Sequence, residues 1–193
     1  GMEMNIYAGI ATPANNVLLP FIRNAVGPMD YTPGAMFTAQ PEDYHGNWTN
    51  TMSIGTRASQ MAMYIVYESG LQMMADNPMN YYNEPGCAHF IADVPVTWDE
   101  TKVLDAKAGE YVITARRKNN KWYIGALNNG SARTITVKAD FLGTGEHQLT
   151  AYADGINAGV QAMDYKKTVT LLHNDDTITI SMERNGGYAA SIE

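Results

Sequence analysis

Few residues in this chain have the type and placement to do chemistry, and most of them are acidic. Asp30 and Asp76 each end a short strand-like run, the first before Tyr31-Thr32-Pro33 and the second before Asn77-Pro78. A carboxylate at a strand end can accept hydrogen bonds from a ligand's hydroxyl groups. It can equally cap a loop by accepting from nearby backbone N–H groups. Asp99 and Glu100 stand where the sequence pattern changes, and capping suits them better than catalysis. Glu3 precedes the first helical pattern, at a terminus, where a carboxylate is solvated. His45, His89, His147 and His173 show no pairing at three or four residues' distance, so a zinc site is not expected. No calcium-loop motif, nucleophile motif, phosphate loop or dinucleotide fingerprint occurs. Cys87 is the single cysteine, which excludes an intramolecular disulfide, and it reads as a small packing residue.

The 193 residues are 45% hydrophobic and carry a formal net charge of -7. No Lys/Arg-rich run is present, so nucleic acid is not an expected partner. No apolar run is long enough for a bilayer, and the N-terminus lacks the basic start and apolar core of a signal peptide.

The elements that must position these residues change character near Trp98. Val17, Leu18, Phe21, Ile22 and Val26 predict a helix over residues 13–26, starting or kinked at Pro20 and stopped by Gly27-Pro28. Met29–Thr32 is a short candidate strand. Residues 35–50 form a long polar and aromatic loop. Ile54, Ala58, Met61, Ala62, Ile65 and Val66 predict a second helix, capped by Thr51 or Ser53 and ended by Gly70. Leu71–Ala75 is a second short strand, and residues 87–94 a short helix. This is the α/β rhythm of a parallel sheet, but only a fraction of one. From Lys102 onward eight period-two runs predict an antiparallel β-sandwich, with a hairpin turn at Asn119-Asn120.

Several long segments carry a resemblance. Residues 19–34, LPFIRNAVGPMDYTPG, are similar to glycoside hydrolase family 97, as are Val94-Pro95-Val96-Thr97-Trp98-Asp99-Glu100-Thr101, Gly109–Lys118 and Trp122–Ala126. The resemblance covers essentially the whole chain. It implies an α-glucosidase or α-galactosidase, inverting or retaining, with an N-terminal β-sandwich, a central (β/α)8 barrel, a C-terminal β-domain and an active-site calcium ion. The fold class it implies is α/β followed by all-β. Residues 1–97 would be the C-terminal end of the barrel and residues 98–193 an antiparallel β-sandwich domain.

The resemblance makes Glu3 the general acid, and a candidate calcium ligand. Asp30 and Asp76 would line the sugar pocket, and Tyr31, Tyr44, Trp48, Tyr81 and Tyr82 would lie in loops facing the barrel mouth. The partners implied are an oligo- or polysaccharide substrate and the missing N-terminal domain and barrel strands. The compartment implied for the full-length protein is the periplasm. An incomplete barrel exposes strand edges and apolar helix faces, so the first half is expected to be rearranged, partly disordered or covered by an oligomer contact. The fragment alone is expected to be inactive. A contrasting reading is a non-catalytic β-module that binds carbohydrate or braces a neighbouring domain.

Overall fold

The computed structural model describes residues 9–193. Helix α1 spans Pro13–Ile22 and α2 spans Arg57–Val66. Between them β1 (Thr38–Ala39) pairs in parallel with β2 (Ser53–Ile54). Two short helices follow, α3 (Pro78–Asn83) and α4 (Pro85–Asp93). The remaining strands are β3 (Glu100–Lys107), β4 (Tyr111–Lys118), β5 (Lys121–Asn128), β6 (Arg133–Lys138), β7 (His147–Asp154), β8 (Tyr165–Leu172), β9 (Thr177–Met182) and β10 (Gly187–Ile192).

Local capping sets the helix starts, and it differs from the sequence expectation. Helix α1 begins at Pro13 and runs through Pro20. Thr12 accepts from the Asn15 N–H at 3.3 Å, and Pro13 occupies a first-turn position that needs no N–H donor. Helix α2 is capped by Thr56, whose Oγ1 accepts from the Ser59 N–H at 3.2 Å, and not by Thr51 or Ser53. Ser53 lies on β2 instead. Helix α2 ends at Val66, four residues before Gly70.

The two short runs predicted as strands form a parallel ladder. Met29 N–H donates to Glu68 C=O at 3.0 Å, Met73 N–H to Tyr31 C=O at 3.1 Å and Ala75 N–H to Pro33 C=O at 3.0 Å. Tyr31 pairs with Gln72. Side chains on a strand alternate between its two faces. Tyr31 is buried toward the helices, where its hydroxyl donates to Asn16 Oδ1 at 3.0 Å and its ring meets Tyr67 edge-on at 4.8 Å. Gln72 also points that way and donates to the Tyr64 C=O. Asp30, Leu71 and Met73 alternate with these residues and are exposed. A parallel strand pair joined by a helix, with one apolar face open, is the shape of a slice from a larger sheet.

Strands β3 to β10 are antiparallel throughout. Six make one sheet in the order β3-β4-β5-β10-β7-β8, and β6 pairs with β9 as a separate ribbon. The second layer is therefore two strands rather than a full sheet. Alternation along the six-stranded sheet separates two cores. Ile113, Ala115, Trp122, Ile124, Ala126, Leu149, Ala151 and Ile192 face the β6–β9 ribbon. Val112, Tyr123, Leu127, Tyr152 and Ala189 face the opposite way, into a core shared with α2 and α4.

Helix α2 is thus walled on both sides, by the parallel ladder and by the antiparallel sheet, and all ten of its residues are buried. The sheet admits it through two glycines. A Cβ on Gly125 would lie 2.8 Å from Ile65 Cβ and 2.9 Å from the Ala62 carbonyl oxygen. A Cβ on Gly187 would lie 2.4 Å from Ser59 Cα. The helix face expected to be bare is therefore covered by this chain's own sheet. In this half the apolar surface left open is the far side of the ladder, Phe21 and Ile22 on the outer face of α1, and Val26 in the turn beyond it.

Candidate functional site

The Pro33-Gly34 turn is the best-anchored point at the C-terminal end of the parallel ladder. Tyr64 donates its hydroxyl to the Pro33 C=O at 2.9 Å, and Tyr81 donates to the Gly34 C=O at 3.0 Å. The Gly34 N–H donates to Gln60 Oε1 at 3.1 Å. Gly34 has φ +89, and a Cβ there would strike the Tyr64 hydroxyl at 2.5 Å. Glycine is the residue that fits such a position. Burial drives the Tyr64 and Tyr81 hydroxyls well above the ordinary tyrosine range, so both remain donors.

Asp76 stands where the second ladder strand ends, and protein donors occupy its carboxylate. Its Oδ2 accepts from the Met36 and Phe37 N–H groups at 2.8 and 3.0 Å. Its Oδ1 accepts from the Asn77 N–H and from Asn80 Nδ2, both at 2.7 Å. The two loops that leave the ladder are tied together by this one side chain.

Asp30 lies inside the paired run and not at its end, because pairing begins at Met29 and continues to Pro33. Tyr31 pairs with Gln72, so Asp30 is level with Leu71. Asp76 is about five residues further along, roughly 16 Å at the rise of a strand. The structure does not bring these carboxylates together. The separations used in glycoside cleavage are roughly 5–10 Å. Glu3 lies outside the described residues.

Of the aromatic residues, Tyr31 is buried against α1 and α2, and Tyr81 is bound to the Pro33-Gly34 turn. Tyr44 accepts from the Gly9 N–H at 3.0 Å. Trp48 and Tyr82 are exposed. On the antiparallel sheet Trp122 and Tyr123 are buried on opposite faces, so they form no flat platform for a sugar ring.

Sequence reasoning missed a network behind these loops. Arg57, at the first position of α2, donates Nε to the Met36 C=O at 3.0 Å and Nη1 to Glu84 Oε1 at 2.7 Å. Its guanidinium lies over the Tyr165 ring at 5.4 Å, and Tyr165 donates to Glu84 Oε2 at 3.1 Å. Gln40 donates to the Ala158 and Arg184 carbonyls at 3.0 and 2.8 Å and accepts from Asn185 Nδ2 at 3.0 Å. Arg184 grips Glu42 with two hydrogen bonds. The available signal was Arg57 itself. A cation opposes the dipole at a helix start, which favours an anionic partner beside it.

Asp99 and Glu100 are also explained by local contacts. Asp99 accepts from the Asn119 N–H at 2.7 Å and from Lys118 Nζ at 3.1 Å. The Asn119 N–H above all, then Lys118, holds its carboxyl below the usual range. This grips the β4–β5 hairpin, where Asn119 takes a positive φ of 53. Glu100 pairs with Arg117. Among the described residues no group of three or more His, Cys, Asp or Glu side chains converges to hold a metal ion, so those residues alone do not fit a calcium cage. No helix among them is long and apolar enough to cross a membrane.

Comparison with known proteins bears on this arrangement directly. The model of the family described as "Glycosyl-hydrolase 97 C-terminal, oligomerisation" matches residues 97–193. A retaining alpha-galactosidase of Bacteroides thetaiotaomicron is 43% identical over 178 residues, covering 92% of this chain and 27% of that protein. A probable retaining alpha-galactosidase of Streptomyces bingchenggensis is 29% identical over 181 residues, covering 94% of this chain and 26% of that protein. A glycoside hydrolase family 97 enzyme of Pseudoalteromonas sp. strain K8, solved with panose, superposes with a TM-score of 0.84 at 34% identity. That match covers 94% of this chain and 28% of that one. The chain thus spans about a quarter of the length of its relatives, and the likeness runs through both the ladder half and the antiparallel half. On the match over residues 97–193 and the superposition of nearly its whole length, the chain belongs to glycoside hydrolase family 97.

Proposed function

We propose that this chain is the C-terminal part of an enzyme that cleaves α-linked galactosides with retention, supplying the end of its (β/α)8 barrel and the β-domain behind it. The observation that carries this reading is the 43% identity over 92% of the chain to a protein named a retaining alpha-galactosidase. The family enzyme solved with panose is 34% identical. Retention requires a carboxylate nucleophile and a carboxylic acid about 5 Å apart, the acid protonating the leaving oxygen.

In this reading Glu3 is the general acid, tuned by the barrel that surrounds it in the full-length enzyme. Asp30 and Asp76 stand on the ladder, where barrel strands present their side chains to the interior or to the mouth. Asp76 serves the pocket chiefly by fixing the Met36-Phe37 and Asn77–Asn80 backbone, since its four acceptor directions are filled. Calcium, which the resemblance assigns to the full-length enzyme, would draw its ligands from Glu3 and from residues upstream. The periplasm is the proposed compartment.

The test is hydrolysis of p-nitrophenyl α-galactoside and α-glucoside by the full-length enzyme and by this chain alone. The expected result is galactoside cleavage by the first, lost on Glu3→Gln, and no cleavage by the second. Preference for the glucoside would overturn the substrate assignment. Turnover by the isolated chain would overturn the claim that it is only part of a site.

The β-domain braces the barrel end and mediates assembly. The continuous core through α2 and the oligomerisation role attached to the matched family domain support this part of the reading. Removing residues 98–193 from the full-length enzyme should leave α2 bare on one side and abolish soluble expression. A stable, active enzyme without them would refute the brace.

A further inference from the structure

The two edges of the six-stranded sheet are built differently. Strand β3 is guarded in the usual ways. Glu100, Lys102, Asp105 and Lys107 place four charges on it, and its register is broken by a bulge between Val103 and Asp105. Charges and bulges are the devices that stop an edge strand from pairing with another chain. Strand β8 has neither along Thr168-Val169-Thr170-Leu171-Leu172. It pairs with β7 without interruption over all eight residues, and beyond Lys166 and Lys167 at its start the strand contains no charge, proline or glycine.

Both faces of β8 are also incompletely covered. Val169 and Leu171 lie beyond the helices on one face and are 58% and 57% exposed. On the other face the β6–β9 ribbon stops short, leaving a groove of about 510 Å³ lined by Thr168 and Thr170 of β8 and by Thr177, Thr179 and Ser181 of β9. The end of the sheet is open at its edge and on both sides.

The geometry points to β8 as the strand through which a second copy of this chain docks, pairing antiparallel with β8 of its partner about Thr170. This rests on the reading that the β-domain mediates assembly. The sequence is self-complementary in that register. With Thr170 opposite its own copy, each Val169 faces a Leu171, so the exposed apolar side chains meet across the new pair. Lys166 and Lys167 at the start of the strand then lie beside the His173–Asp176 turn of the other copy, where Asp175 and Asp176 are exposed. Opposite charges therefore meet at both ends of the contact. A parallel or shifted pairing would lose one match or the other. The product is one antiparallel sheet running through both molecules, with no open edge at its centre.

Light scattering and disulfide trapping on the full-length enzyme test this. The expected apparent mass of the unaltered enzyme is at least two protomers. In Val169→Lys/Leu171→Lys it should fall to one at micromolar concentration with the melting temperature retained, since neither side chain is in a core. In Thr170→Cys, the two sulfur-bearing residues would sit face to face within disulfide reach. Mild oxidation should then give a reducible band of doubled mass, and Val103→Cys on the guarded edge should give none. Where the two readouts part, the Thr170→Cys trap decides. An assembly that survives the lysine pair and leaves Thr170→Cys uncrosslinked overturns β8 as the contact while leaving the assembly reading intact. An unaltered enzyme that is monomeric overturns both.

Discussion

Gly125 of β5 and Ile65 of α2 approach so closely that no side chain fits between the strand and the helix: a Cβ built on Gly125 falls 2.8 Å from Ile65 Cβ. Nearby atoms on the helix include the Ala62 carbonyl oxygen, which is backbone and cannot swing aside. Gly125→Ala should therefore push α2 off the sheet. Overpacking of this kind costs about 1–3 kcal/mol, and Gly125→Val should cost more. Urea unfolding read by circular dichroism checks this. An alanine variant as stable as the original chain would mean that α2 is free to shift.

The Arg57–Glu84 pair joins the start of α2 to the α3–α4 junction, and Tyr165 of the β-domain completes it. Glu84→Ala strands a nearly buried guanidinium with one carbonyl and a ring face for company. Breaking a buried pair costs about 3–5 kcal/mol. The partial exposure of Glu84 lowers the expected loss to on the order of 2–3 kcal/mol. Glu84→Gln, which keeps an acceptor, should lose less, and thermal melting of the two variants separates them.

Asp154 sits at the end of β7 under the β9–β10 turn. Its Oδ2 accepts from the Glu183 and Gly187 N–H groups, both at 2.9 Å. Its Oδ1 lies beyond solvent although the residue as a whole is partly exposed. Burial outweighs those hydrogen bonds and lifts the carboxyl to about 6. The folded value exceeds the unfolded one of about 3.9. The folded state thus holds the proton more tightly, and the stability this contributes is complete below about pH 4 and lost as pH rises through about 6. Asp154→Asn lacks that dependence. The stability of the native chain relative to the variant should therefore fall between pH 4 and 7, by on the order of 3 kcal/mol. Urea midpoints for both proteins across that range provide the measurement, and parallel curves would refute the assignment.

Asp76→Ala removes the acceptor shared by two loops. In the full-length enzyme the expected outcome is a loss of kcat/KM of tenfold or more with the fold retained. Asp76→Asn should recover part of that loss, because its carbonyl oxygen still takes some of the N–H donors. An alanine variant with full activity would remove Asp76 from any role in the pocket.

Buried Cys87 offers a plain check on packing. Burial raises its thiol above the usual range, so a thiol reagent at pH 8 should label it only after denaturation.

The antiparallel strands could be read from the chain because every second residue faces one of two cores. The run of Thr177–Met182 shows that alternation without help from tertiary contacts, whereas Trp122–Leu127 is apolar throughout because both faces of its strand are buried. Helix α3 could not be read. Asn77-Pro78 resembles a break, yet Pro78 opens the helix and Asn77 Oδ1 accepts from the Met79 N–H at 2.9 Å. The cap of α2 was missed because Thr51, Ser53 and Thr56 all offer a hydroxyl, and Ser53 is taken up by β2, which leaves Thr56 directly before the first helical residue. The double burial of α2 was missed for another reason. Arg57, Ser59 and Gln60 look like a solvent face, but each is buried. Arg57 and Gln60 find their partners in segments distant along the chain. Periodicity reports which side chains are apolar and says nothing about where a polar one finds its partner.

The wedging of α2 has a consequence for how such a protein can be divided or inherited. Element type changes between Asp93 and Glu100, but the packing crosses that line, so a graft cut there would leave the sheet with an empty trough and the helix with a naked flank. Shuffling the helical half and the sheet between relatives must carry Ile65 and Gly125 as a matched pair, as a tenon goes with its mortise. The two halves are separable on paper and must be transplanted as one.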